Sequence, residues 1–221
     1  MGVLDSNLKN AFRNQRIALL ILSLSLICFL LVAFLRSSFS AVDADVNSWA
    51  VSVQSTAFTQ IAKIIHYGFG TTALSVITLL IAVYLLYKRY RNYALLLVGG
   101  MLGEFLIVAI LKRLIDATRP LNGIIQETGF SFPSGHTTAA VVFLGLLTYF
   151  IWQHFKSRNW RILSGVFLVS IVLLVGFSRI YLNVHWFSDV VGAYSLGVFW
   201  LTFCVLTFRL RYANKVSFRE L

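Results

Sequence analysis

Apolar residues fill six stretches of this chain almost without interruption, at 17–35, 72–87, 93–111, 137–152, 162–177 and 187–208. Each is close to the length at which an α-helix crosses the hydrocarbon of a bilayer. A helix also satisfies every backbone group within its own segment, as lipid requires, so the pattern predicts six transmembrane helices. Between Ser37 and Gly70 the rhythm changes: Val46, Trp49, Ala50, Val53, Ala57, Ile61, Ile64 and Ile65 recur every three or four positions, and serine, threonine and glutamine fill the opposite side. Asp45 suits an N-cap there. This predicts an amphipathic helix, lying in the outer interface or packed against the bundle. The loop from Lys112 to Gly135 carries the turn signal Asn122-Gly123. The expected fold is an all-α, polytopic membrane helical bundle, a single domain over 1–221, with six transmembrane helices plus an extracytoplasmic interfacial amphipathic helix.

Composition agrees, because 58% hydrophobic and 12% charged residues exclude an ordinary soluble domain. Ala41-Val42-Asp43-Ala44 faintly resembles a signal-peptidase site, but the 17–35 core is long for a signal peptide and reads as an uncleaved first span. Cys28 and Cys204 each lie inside an apolar run, which suits neither a disulfide framework nor a metal site. The net charge of +11 raises nucleic-acid binding, which the placement of the charges argues against. Thirteen of the 19 lysines and arginines fall before the first span, at 88–91, at 156–161 and after the last span. By the positive-inside rule these segments are cytoplasmic, as are both termini of a multi-pass cell-membrane protein. Basic segments would also attract anionic lipid headgroups. The 112–135 loop and the 178–189 stretch then emerge together on the extracytoplasmic face.

Three polar clusters converge on that face. Lys112 and Arg119-Pro120 supply two cations suited to a multiply charged phosphoryl group. Pro133-Ser134-Gly135-His136 opens the fourth span: its helix N-terminus offers unpaired donors to an anion, Gly135 allows close approach of backbone N–H groups, and Ser134 either donates a hydroxyl or caps the helix. His136 is placed to give a proton to a leaving oxygen. In Ser178-Arg179-x5-His185-x3-Asp189 a helical turn would bring the carboxylate of Asp189 to one imidazole nitrogen of His185 and leave the other free to attack. Cations, backbone donors, two histidines and one carboxylate suit phosphoryl transfer by positioning and electrostatics. No second acidic group is placed for a divalent metal, and the surrounding cations oppose one. Glu104, inside the third span, and His66 have no motif partner, and neither is assigned a role.

These three clusters, in this order on six spans, resemble the signatures of the type 2 phosphatidic acid phosphatase superfamily, which shares its site with vanadium-dependent haloperoxidases. The resemblance implies a metal-independent phosphatase without cofactor. His185 would be the nucleophile that becomes phosphohistidine, Asp189 its orienting partner and His136 the acid. Lys112, Arg119, Arg179, Ser134 and the Gly135 backbone would form the phosphate cradle. The expected partners are the bilayer and a lipid phosphate or diphosphate within it: phosphatidylglycerophosphate, phosphatidic acid, or a polyprenyl diphosphate such as undecaprenyl diphosphate. A lipid phosphotransferase working through the same phosphohistidine, and a non-catalytic membrane scaffold, are the alternatives.

Overall fold

Each apolar stretch forms a helix in the computed structural model, which describes residues 2–155 and 157–212, with side chains from residue 15. Lys9, Arg13, Lys156, Lys215 and Arg219, which entered the charge count, lie outside the described residues or side chains. The elements run α1 (Gly2–Phe34), a 3-10 turn (Arg36–Phe39), α2 (Ser40–Ser52), α3 (Thr56–Gly68), α4 (Thr71–Tyr87), α5 (Arg91–Ile115), α6 (Gly135–His154), α7 (Arg158–Tyr181) and α8 (Phe187–Tyr212). Helices α1, α5, α6, α7 and α8 are each long and apolar enough to cross a membrane, and α3 with α4, bent by 50° at their junction, can make a sixth span. This is a multi-pass membrane bundle. Several helices run past their apolar cores, because polar residues in the interface continue a helix without hydrocarbon around them.

Helix α8 packs between α1 and α6, and α5 and α7 close around α6. Leu97, Val142 and Leu146 are wholly buried at this centre, whereas Leu20, Leu80, Phe167 and many similar residues face outward to lipid. Small residues set the spacing of α6 and α8: a Cβ at Gly145 would lie 2.2 Å from Leu201, and one at Gly197 would lie 2.7 Å from Val141. Without aqueous exclusion to drive helices together, such close approach supplies much of the packing energy in a membrane.

The single amphipathic helix expected between 37 and 70 is two helices. Ser55 takes the N-cap of α3, its Oγ accepting from the Phe58 N–H at 3.4 Å. The Tyr181 hydroxyl, at the end of α7, accepts the Ser55 N–H at 2.9 Å and donates to the Ser55 carbonyl at 3.2 Å. A tertiary anchor therefore breaks a periodicity that would have carried straight on. Asp45 lies inside α2 and caps nothing there, the cap position being Phe39.

Candidate active site

The site begins where α7 stops. The Val184 N–H bonds the Arg179 carbonyl at 3.2 Å and the Asn183 N–H bonds the Ile180 carbonyl at 2.9 Å, with Asn183 at φ 52°. This is a Schellman motif, and asparagine is among the few side chains that tolerate the left-handed conformation. The reversal delivers His185 and Trp186 directly to the start of α8.

Asp189 stands in the first turn of α8 and is fully buried. Its Oδ2 accepts the Trp186 N–H at 2.9 Å, the backward reach of an acidic third residue that caps its own helix. The same oxygen accepts the Ser131 hydroxyl and lies 3.4 Å from His185 Nδ1. Its Oδ1 faces the Arg36 guanidinium at 3.2 Å. His185 precedes the helix rather than riding on it, yet the expected pair forms. A second carboxylate, Asp43 on α2, holds the same helix start by accepting the Ser188 N–H at 2.8 Å and the Ser188 hydroxyl at 2.7 Å. This contact gives part of the 37–70 segment a purpose that its periodicity did not reveal.

With Nδ1 directed at Asp189, His185 Nε2 turns toward Arg119, whose Nη1 lies 3.2 Å away. Burial, followed by the charges of Arg179, Arg119 and Lys112, holds the His185 pKa well below the ordinary histidine value. The ring is a neutral base within a positive field. Arg119 also donates to the carbonyls of Val184 at 2.8 Å and Gly129 at 3.0 Å, and Lys112 Nζ donates to the carbonyl of Phe130. These bonds bind the 128–131 loop to the cations and aim all of them at one place.

That place is a cavity of about 860 Å³ lined by Lys112, Arg119, Gly135, His136 and His185, among others. The structure thus brings together both histidines and two of the expected cations. Arg179, wholly buried, is not among the residues lining the cavity; it pairs with Glu127, which does line it, and donates to His66. Gly135 opens α6 into the cavity, and a Cβ there would meet only Val108 at 3.7 Å. Packing does not demand the glycine, so the free space it leaves is available to a ligand. Ser134 is different: its side chain is buried, its Oγ pairs with Thr137 Oγ1 at 3.0 Å, and it makes no cap bond to α6.

Four participants had no sequence signal beyond their residue type. His66, at the end of α3, stacks on His136 with ring centroids 4.8 Å apart and 24° between planes, which fixes the orientation of that imidazole. Glu127 pairs with Arg179, and its other oxygen lies 3.7 Å from Arg119. Arg36 and Ser131 complete the surroundings of Asp189. The nearest ligating atoms of His66, Glu127 and His136 lie within 4.8 Å of one another, a spacing that could hold a metal ion. Glu127 is already engaged by two guanidinium groups, however, and a divalent cation would have to displace or tolerate both.

The sequence profile of the PAP2 superfamily matches residues 93–213, more than half of the chain. The chain is 32% identical over 185 residues to phosphatidylglycerophosphatase B of Bacillus subtilis (strain 168), covering 79% of this chain and 88% of that protein. It is 30% identical over 129 residues to an undecaprenyl-diphosphatase of Sulfolobus acidocaldarius, covering 55% of this chain and 58% of that one. Its fold is similar to that of the transmembrane PAP2-type phosphatidylglycerolphosphate phosphatase of Bacillus subtilis, with a TM-score of 0.79 at 25% identity over 88% of this chain and 98% of the other. Aquifex aeolicus LpxE shares the fold at a TM-score of 0.60 and 19% identity, over 73% and 93% of the two chains. Sequence and architecture thus meet on one answer: the chain belongs to the PAP2 superfamily.

Proposed function

We propose that this membrane lipid phosphatase removes phosphoryl groups from lipid phosphomonoesters or diphosphates at the extracytoplasmic face, through a phosphohistidine on His185. The observation that carries this reading is the shared cavity: His185, oriented by Asp189 at 3.4 Å, opens onto the same space as His136, Lys112 and Arg119. The wall of that cavity descends to Leu79, Leu102 and Phe105, which are also exposed on the lipid-facing surface, so acyl or prenyl tails pass in from the bilayer while the headgroup meets the cations.

The reaction has two displacements. A bound phosphate draws Arg119 away from Nε2, which frees that lone pair. Nε2 then attacks phosphorus, the bond from phosphorus to the lipid oxygen breaks, and His136 passes its proton to that oxygen. Asp189 stabilises the charge that develops on the His185 ring. The substrate's negative charge offsets the cations around His136, so the proton it passes on is best held when the cradle is full. Water next enters, gives a proton to His136 and attacks the phosphohistidine, releasing inorganic phosphate and restoring both rings. Lys112, Arg119 and the Gly135 N–H stabilise the charge on the equatorial oxygens. Arg179 acts indirectly, holding Glu127 and His66.

Relatives named for phosphatidylglycerophosphate and undecaprenyl diphosphate define the substrate panel. Purified protein in detergent should release inorganic phosphate from at least one of phosphatidylglycerophosphate, phosphatidic acid and a polyprenyl diphosphate, and vanadate should compete with it. Transfer of phosphate to a second lipid without free phosphate would identify a transferase instead.

A further inference from the structure

Below the cationic end, the cavity is not uniformly greasy. Thr71, Ser75 and Thr78 line it from one face of α4, and Glu104 lines it from α5. Glu104 is only 5% exposed and Thr78 only 8%. Glu104 has no hydrogen bond or ion pair among the described residues, and the Thr78 hydroxyl is a buried polar atom with no partner. Among the described residues it is the one buried hydroxyl without a partner. Ser25, Thr148, Ser170 and Ser195, on other spanning helices, each donate back to a carbonyl of their own helix, the ordinary solution in an apolar setting. Thr78 does not: its Oγ1 is covered by the surrounding protein and unpartnered, on a side chain that lines the cavity, and a rotation about χ1 would present it there.

Depth constrains what could meet these groups. Glu104 precedes Lys112 by eight residues on α5, and Thr78 follows Thr71 by seven on α4. At 1.5 Å per residue both lie roughly 10–12 Å along the helices from the cationic end. Thr71 marks that end on α4, since a Cβ on the adjacent Gly70 would lie 3.6 Å from His136 Nε2. The depth is beyond the atoms bonded to the reacting phosphorus. It is the level at which the acyl esters of a glycerolipid hang when its reacting phosphate stands off the diacylglycerol on an extended head. An ester carbonyl accepts hydrogen bonds and donates none. A threonine hydroxyl is a donor, and so is a carboxyl in its acid form, whereas an ionised carboxylate without a counter-charge is costly in hydrocarbon. A polyprenyl tail at the same depth is hydrocarbon and leaves both groups unmet, at the cost of burying unpaired polar atoms.

We infer that Glu104 and Thr78 form a hydrogen-bonding subsite for the acyl ester carbonyls of a glycerophospholipid, which favours diacyl glycerolipid phosphates over substrates whose tails lack carbonyls. This rests on the phosphatase reading above and sharpens it to a substrate class. Hydrogen bonding here sets affinity for the tail linkage and leaves the chemistry at phosphorus to the cationic end.

The test compares phosphate release from phosphatidylglycerophosphate with that from its ether-linked analogue of matched chains, with a polyprenyl diphosphate as the carbonyl-free reference. Unaltered protein should favour the ester over the ether about fivefold or more in kcat/KM, mainly through KM, the scale of one net hydrogen bond. Glu104→Leu and Thr78→Val should each bring the ester-to-ether ratio toward one, while Glu104→Gln, which keeps an N–H donor, should preserve most of it. Equal turnover of ester and ether by the unaltered protein would overturn the subsite. So would a leucine variant that loses both activities in parallel while glutamine restores neither, since that pattern belongs to a packing role. Release of phosphate from none of the three lipids would instead defeat the phosphatase reading, and the subsite with it.

Discussion

At the scale of single residues the chemistry depends on which form of an imidazole the surroundings permit. His185 is surrounded by Arg179, Arg119 and Lys112 as well as buried, and its pKa lies well below the ordinary value. The neutral, nucleophilic ring therefore persists as pH falls through about 6.5. The acid limb of kcat/KM, which reports the free enzyme, should lie below that point, and a limb at or above it would contradict the electrostatics. His185→Ala should lower turnover about 10³-fold or more. His136→Ala should cost about 10²–10⁴-fold, as loss of an acid does. Both are checked by phosphate release, and the first also by loss of an acid-labile phosphoprotein after rapid quenching. The motif spacing made these two histidines and Asp189 legible in the sequence. It could not reveal Glu127, His66, Arg36 or Ser131, because nothing local distinguishes a residue that meets the site across 50 to 150 positions from one that faces solvent.

At the scale of elements, the site is delivered by how helices end. Asn183 holds a left-handed turn at φ 52°, so Asn183→Ala should destabilise the protein by about 1–2 kcal/mol, and Asn183→Gly should be better tolerated because glycine adopts this conformation freely. Thermal unfolding in detergent separates the two. Tyr181→Phe removes the hydroxyl that holds Ser55 at the break between α2 and α3, and should lower stability by about 1 kcal/mol or more through the unmet Ser55 N–H. A smaller indirect loss of activity should accompany it, since α2 carries Asp43 and α3 carries His66. The apolar rhythm predicted helix throughout this segment correctly. It missed the break, because a hydrogen bond from α7 is not written into the periodicity of the segment it interrupts.

At the scale of the whole molecule, we propose that the cationic end faces the extracytoplasmic side, as the positive-inside rule predicts. In a protein whose Cys28 and Cys204 have been replaced, Lys63→Cys on α3 should react with a membrane-impermeant thiol reagent in intact cells, and Arg89→Cys in the turn before α5 should react only after permeabilisation. The reverse pattern would place the site in the cytoplasm. Chelators should leave turnover within about twofold, because guanidinium groups already occupy the one carboxylate of the His66, Glu127 and His136 cluster. The sequence by itself determined the bundle, its expected orientation and the residue types of the reaction, because lipid accepts few kinds of backbone and long apolar runs declare themselves. Only the tertiary structure decided that His66 braces His136, that Arg36 and Asp43 reach back to the start of α8, and that Glu104 and Thr78 line the same cavity as His136 and His185. Those relations depend on how separate helices rotate and pack against one another, and a side chain's own neighbours in sequence carry no record of which helix it will face.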